Sequence, residues 1–269
     1  MILIDKTGLT KNFQITTTFD KDIYIYLNLN DWIQKQIFYF GRYEIEKQET
    51  LFWQNLIENG NYVFDVGANI GYYTLQTAAR IGDSGKVFAF EPVSITFKKL
   101  TDNISLNKFN NITAVNVAIS NSPGEIELFV ADENSTGSSS VAMHVNFSGK
   151  KEKVKSIVLD DFIVEQNIQK LDFIKIDVEG CEPFVIEGLR KSMETLKPII
   201  LIEVLDERLN TINSSKEQLY ELFNKYNYVA FEIVNYNTVK PLYKPTEGGL
   251  IIFKHKNSTF NDSITTLNT

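Results

Sequence analysis

From Phe13 to Asn30 apolar and polar residues alternate: Phe13, Ile15 and Phe19, then, past Asp20-Lys-Asp22, Ile23, Ile25, Leu27 and Leu29. A period of two interrupted by a charged turn predicts a β-hairpin with one buried face. Residues 31 to 57 change period, with aromatics and Ile45, Phe52 and Leu56 at helical spacing ahead of Gly60. Short apolar runs and helical stretches then take turns. Val63, Phe64 and Val66 around Asp65 predict a buried strand, residues 71 to 81 a helix ended by Gly82, and Lys86 to Phe90 a second strand. Ser94 is placed to cap a helix with Phe97, Leu100 and Ile104 on one face, and Ile112 to Ile119 predicts a third strand. Strand and helix alternating at this rhythm predict a parallel sheet with helices on both faces.

The rhythm breaks at Gly124, where Ile126, Leu128 and Val130 alternate with no helix before them, as in an inserted hairpin. A polar stretch from Asp132 to Ser140 leads past His144 to a basic, glycine-bearing turn. A long loop after the third strand lies over the carboxyl ends of the sheet and is expected to border an acceptor pocket. Leu171 to Asp177 resumes the sheet, Val178-Glu179-Gly180 turns into a helix over 181–188 with Pro183 in its first turn, and Pro198 to Glu203 is a fifth strand. Ser214 and Glu217 have capping-box spacing ahead of Leu219, Leu222 and Phe223. Two last strands, Tyr228 to Asn235 and Gly249 to Phe253, are joined without a helix and are therefore expected to be antiparallel.

The chain divides on this reading into an N-terminal hairpin and helical extension (1–60), a catalytic domain (61–255) and a polar, unstructured tail (256–269). The extension is suited to covering the catalytic cleft, to pairing subunits as a homodimer, or to plain core filling. A net charge of −7, with no basic run beyond Lys150 to Lys153, argues against nucleic acid and against an anionic membrane surface. One cysteine, Cys181, rules out an intrachain disulfide. With no basic leader and no apolar run near the roughly 18 residues of a spanning helix, a cytoplasmic protein without membrane insertion is expected.

Chemistry concentrates between Asn61 and Thr74. A strand, the turn Gly67-Ala-Asn-Ile-Gly71 and a helix N-terminus suit a nucleotide-derived cofactor. A nicotinamide site calls for G-x-G-x-x-G around a pyrophosphate; here the spacing is G-x-x-x-G, and Asp65 precedes it. A carboxylate there repels a pyrophosphate but attracts a ligand bearing an ammonium group, such as S-adenosylmethionine. Glu91 ends the second strand, where a carboxylate can accept both hydroxyls of a ribose.

Together these segments resemble the FkbM family of S-adenosylmethionine-dependent methyltransferases, over about residues 41 to 253. The resemblance rests on Tyr43-Glu44, Asp-Val-Gly-Ala-Asn-Ile-Gly at 65–71, Glu91-Pro92, the 134–140 loop, Leu159-Asp160-Asp161, Ile-Lys-Ile-Asp-Val-Glu-Gly at 174–180, and Glu203. It implies a Rossmann-like class I methyltransferase fold, a seven-stranded, mostly parallel sheet with an antiparallel last strand. It also implies cofactor contacts at Asp65, Gly67, Asn69, Gly71, Tyr72, Glu91 and Pro92, and O-methylation of a hydroxyl on a sugar, glycan or natural product. The acceptor is a small molecule or a glycan. A catalytically inactive scaffold that binds S-adenosylmethionine, or an NAD-dependent oxidoreductase, are the rival readings.

Methyl transfer to an alcohol needs alignment and a proton acceptor, or a metal that acidifies the hydroxyl. Asp177 and Glu179 at the fourth strand end are the candidate base and orienting group, with Lys175 on the same strand parity. Glu203 ends the neighbouring strand, and three converging carboxylates would raise one another's pKa or hold a divalent cation. The metal-free version is favoured because no histidine accompanies the cluster. His144 is the other candidate base.

Overall fold

The structure, a computed structural model, describes residues 13–20, 22–130, 150–245 and 248–267. The N-terminal hairpin is β1 (Gln14–Phe19) and β2 (Ile23–Asn28), paired antiparallel. Two helices follow it, α1 (Trp32–Phe40) and α2 (Lys47–Leu56). Asp31 caps α1, its Oδ1 accepting from the Ile33 and Gln34 amides, and Gly41 ends it at φ 67°. This left-handed residue divides the helical region expected over 31–57 and leaves 42–46 irregular.

The main sheet begins with β3 (Tyr62–Val66), followed by α3 (Tyr72–Ile81), β4 (Lys86–Phe90), α4 (Ser94–Ser105) and β5 (Ile112–Val115). The third strand is shorter than its apolar run. Asn116 donates through Nδ2 to the Glu91 and Pro92 carbonyls, and the chain leaves the main sheet. Residues beyond it form β6 (Ala118–Ile119), which joins β7 (Gly124–Val130) and β8 (Lys150–Ile157) in a separate three-stranded sheet. β8 is the partner of the expected hairpin, and it occupies what its lysines suggested to be a turn. Lys151, Lys153 and Lys155 are exposed while Val154 and Ser156 are buried, so the basic run is the solvent face of a strand.

After α5 (Leu159–Glu165) the chain returns through β9 (Phe173–Ile176), α6 (Glu182–Glu187), α7 (Arg190–Thr195), β10 (Ile199–Val204), a short α8 (Asp206–Leu209) and α9 (Lys216–Lys225). It finishes with β11 (Tyr228–Asn235), β12 (Thr238–Leu242), β13 (Gly249–His255) and β14 (Thr265–Thr266). The sheet order is β14-β12-β11-β13-β10-β9-β3-β4-β5. Pairing is parallel from β10 to β5, and β13 lies antiparallel between β10 and β11. The seven strands of the expected fold are all there, with β12 and β14 extending one edge. β12 forms in the connection between the last two expected strands, and pairs antiparallel with β11.

Two capping expectations fail by small margins. Ser94 lies inside α4, where its hydroxyl donates to Glu152 instead of capping. The capping box of α9 is Ser215 with Gln218, one residue later than Ser214 with Glu217.

Strand parity sorts the core. Phe64, Val66, Ile174, Ile176, Ile200 and Ile202 face one layer, which is closed by α5, α6, α7 and α9. Val63, Phe173, Ile199 and Leu201 face the other, where Ile25, Leu27, Ile37, Phe52, Trp53 and Leu56 of the extension share one cluster with α3. The extension is thus core on one face of the sheet.

The described part of the tail packs on the body of the protein, contrary to the expectation from its polar composition. Ile264 is buried, Phe260 packs edge-on against Phe52 and Phe231, and Asn261 Nδ2 donates to the Asn55 and Leu56 carbonyls, both at 3.0 Å. Deleting residues 258–267 should therefore cost at least about 3 kcal/mol, given about 1.5–3 kcal/mol for each buried large apolar side chain. A shift of the urea midpoint measures it, and an unchanged midpoint would mean the tail only rests on the surface.

Candidate active site

The chain runs from β3 outward to β5 and then back to β9, so a crevice opens at the carboxyl ends of β3 and β9. Gly67 sits at its floor with φ 84°, and a Cβ there would lie 1.9 Å from the Asp177 carbonyl oxygen. Asp177 donates its amide to the Val66 carbonyl at 3.0 Å. Only glycine allows the two strand ends to touch this way. Asn69 also takes a left-handed φ of 50°, and its amide donates to Glu91 Oε2 at 3.0 Å; Glu91 Oε1 accepts from the Val93 amide at 3.0 Å.

Two cavities meet over this turn. The first, about 720 Å³, is largely apolar, with Val66, Phe90, Val117, Ile119 and Leu128 in its wall and Glu91 and Pro92 at its edge. The second, about 660 Å³, is lined by Tyr43, Glu46, Asp65, Tyr72, Tyr73, Lys175 and Glu203 among others. Gly67, Asn69, Asp177 and Glu179 belong to both. The cleft therefore folds over the edge of the main sheet, whose even-numbered Val66 and Phe90 line one half and whose odd-numbered Asp65, Lys175 and Glu203 line the other.

Asp65 and Lys175 are register partners on β3 and β9. Asp65 is 2% exposed; its Oδ2 accepts from Thr74 Oγ1 at 2.5 Å, while Oδ1 has no hydrogen-bond partner among the described residues. Asn69 Oδ1 is orphaned in the same way. Lys175 Nζ, in a side chain only 4% exposed, lies 3.0 Å from Asp177 Oδ2 and 4.6 Å from the Tyr73 ring centroid. Glu179, at φ 55°, pairs with Arg208 at 3.1 Å. Glu46 accepts from the Tyr73 hydroxyl at 2.8 Å.

Of the residues singled out from sequence, Asp65, Gly67, Asn69, Tyr72, Glu91, Pro92, Lys175, Asp177, Glu179 and Glu203 all line the cleft. Gly71 lines neither cavity; at φ 96° it makes the turn into α3, against Leu100. Cys181 is buried in the wall of the first cavity. His144 and the 134–140 loop lie outside the described residues. His255 is spent on local structure, with Nδ1 accepting from the Asn257 amide and its ring against Tyr228. Tyr43 of the Tyr43-Glu44 pair lines the second cavity, as does Glu46, which was not anticipated. Among the described residues no three His, Cys, Asp or Glu side chains are grouped to share a metal ion, and no helix is long and apolar enough to cross a membrane.

Residues 65–230, more than half of the chain, match the family described as the methyltransferase FkbM domain. The chain belongs to the FkbM methyltransferase family. Membership sets the nicotinamide reading aside. "Methyltransferase 1" of Beauveria bassiana is 24% identical over 225 residues, which cover 77% of this chain and 84% of that protein. "Hexuronic acid methyltransferase AglP" of Haloferax volcanii is 27% identical over 144 residues, 54% of this chain and 56% of that protein. The crystal structure of an FkbM methyltransferase from Methylobacillus flagellatus is similar at 16% identity and a TM-score of 0.47, over 76% of this chain and 48% of that one.

In this FkbM-family chain the second cavity carries, among the described residues, five carboxyl groups, those of Glu46, Asp65, Asp177, Glu179 and Glu203, and one lining cation, Lys175. Burial pushes the Lys175 ammonium down, but Asp177, Asp65 and Glu46 outweigh it, and the net shift is upward. Burial first, then the Asp177 charge, pushes Glu179 up to about 8 and Glu203 to about 9. Burial likewise raises Glu46 to about 7 against the pull of Lys175, and Asp65 moves in the same direction. Glu91, against two backbone amides, and Glu182, against those of Val178 and Gly180, are each raised by burial to about 7.

A carboxyl whose folded pKa is raised keeps its proton longer in the folded state, so its contribution to stability is present below its usual pKa near 4.5 and is lost as pH rises through the folded value. For Glu46, Glu91 and Glu182 that window is about 4.5 to 7. The melting temperature of the ligand-free chain should fall from pH 5 to 8, and Glu46→Gln should flatten the slope. Calorimetry showing stability that climbs across this window, in both proteins alike, would contradict the burial of these groups.

Proposed function

We propose that the cleft binds S-adenosylmethionine and that the chain transfers a methyl group to a hydroxyl of a sugar, glycan or natural product. The observation that carries this reading is Asp65 Oδ1, buried and without a partner in an acidic cavity that adjoins an apolar one edged by Glu91. An unpaired buried carboxylate oxygen is costly, and a ligand ammonium group would satisfy it. The Gly67 turn leaves room where any Cβ would collide, and Asn69 Oδ1 is a second unsatisfied acceptor beside it. Asp65, Gly67 and Asn69 would hold the amino-acid end. Glu91, with Pro92, would hold the ribose, and the apolar cavity would take the base. Tyr72 would support the turn from the other side, where its hydroxyl accepts from the Tyr43 amide at 3.1 Å.

S-adenosylmethionine supplies a methyl group on a positively charged sulfur. The chain's own part is to align an acceptor oxygen with that methyl and to receive the proton the oxygen gives up. Asp177 is suited to the second task. It lines both cavities, is reachable from either, and is held by Lys175. Glu179, turned by its left-handed backbone and braced by Arg208, would orient the acceptor. The sugar end of the proposed range is supported by the family relative named for hexuronic acid methylation, although the carboxylate of such a sugar would not suit the acidic cavity of this chain.

Asp65→Asn should weaken S-adenosylmethionine binding by about 1.5–3 kcal/mol, the range for a hydrogen bond to a charged group, without unfolding the chain. Calorimetric titration checks it, and an unchanged affinity would move the cofactor elsewhere. Asp177→Asn should cut transfer of labelled methyl at least about a hundredfold with the cofactor still bound. Wild-type activity that a chelator abolishes and magnesium restores would replace this base with a metal-assisted route. No transfer to any of a panel of glycans and extracts would favour the inactive scaffold.

A further inference from the structure

The second cavity is built by the N-terminal extension as much as by the sheet. Ile33 and Ile37 of α1 and Tyr43 and Glu46 of the segment after it face Lys175, Asp177 and Glu203 across the space. It is a ligand site on grounds independent of its acidity, because Asp65, 98% buried, lines it with an unpartnered carboxylate oxygen.

Its charges do not balance. Five carboxyl groups line it; Lys175 answers Asp177, and Arg208 answers Glu179. Among the described residues Glu46 accepts a hydrogen bond from the neutral Tyr73 hydroxyl. Glu203 is half-buried and has no hydrogen-bond or ion-pair partner among the described residues. S-adenosylmethionine carries a net single positive charge and its ammonium group goes to Asp65, so Glu203 still lacks a cation of its own after it binds. An acceptor bearing a carboxylate or phosphate would add like charge to a partly dry cavity, where such repulsion is strong. A protonated amine would meet Glu203.

We propose that the acceptor end of the cleft selects by charge: it takes a hydroxyl compound that carries a protonated amine, such as an amino sugar, and turns away uronates and phosphate esters, with Glu203 as the specificity-determining residue. The raised pKa of Glu203 agrees with a carboxyl that lacks its cation. The assignment deepens the function proposed above and rests on the acceptor entering the second cavity.

The test uses the full chain with and without saturating S-adenosylhomocysteine, whose own binding is measured first by calorimetry. Glucosamine, glucose and glucuronate are then titrated and followed by saturation-transfer NMR. Glucosamine should bind at least about tenfold more tightly than glucuronate, a difference of about 1.4 kcal/mol. In Glu203→Gln, shown to be folded by its melting transition, the ratio should shrink toward one. Glucuronate binding as tightly as glucosamine, a ratio unmoved in Glu203→Gln, or no binding of any of the three sugars would overturn charge selection. Failure of S-adenosylhomocysteine to bind would instead overturn the cofactor reading, and the sugars alone would still report on the charge of the cavity.

Discussion

One buried ammonium holds the carboxyl end of the central strands together. Lys175 stands in register with Asp65 on the neighbouring strand, contacts Asp177 two residues further along its own, and lies over the ring of Tyr73. Tyr73 in turn donates to Glu46 of the N-terminal segment. A buried cation is tolerated only where anions surround it, and buried anions only where a cation answers them. Lys175 meets that condition for Asp177 and eases it for Asp65 and Glu46, so the charges of two strands and the extension form one unit. The unit remains deficient in positive charge, which disposes it to receive a cationic ligand.

A backbone constraint acts alongside the charge. The Gly67 turn presses on the Asp177 carbonyl, and that contact makes the shared floor of both cavities. The apolar half is walled by β4 and the small sheet, the acidic half by α1, the segment after it and the strand ends. Because the extension shares a core with the odd face of the sheet, its cavity-lining residues are fixed by packing instead of hanging on a loose arm.

Much of this was legible in the chain because parallel strands are short, apolar and end in view. Asp65, Glu91, Asp177 and Glu203 stand at or next to strand ends, and the periodicity that placed the strands placed them too. Glu46 was not legible. It neighbours Lys175 only after the extension folds back over the sheet, and nothing local in residues 42–46 signals that contact. The break at Asn116 was hidden because residues on both sides of it are apolar enough for one strand. β8 was masked by lysines that populate only its exposed face, and the tail by a polar composition whose few anchors, Phe260, Asn261 and Ile264, are too sparse to show a period. The extra edge strands β12 and β14 depend on pairing partners distant in sequence, which composition does not report.

The most direct test is a crystal structure of the chain with S-adenosylhomocysteine. The account predicts ligand density crossing the Gly67 turn, with the ribose hydroxyls on the Glu91 carboxylate, the base in the apolar cavity and the ammonium group within hydrogen-bonding distance of Asp65 Oδ1. Density confined to another surface, or a ligand bound here with Asp65 Oδ1 still unpartnered, would contradict it.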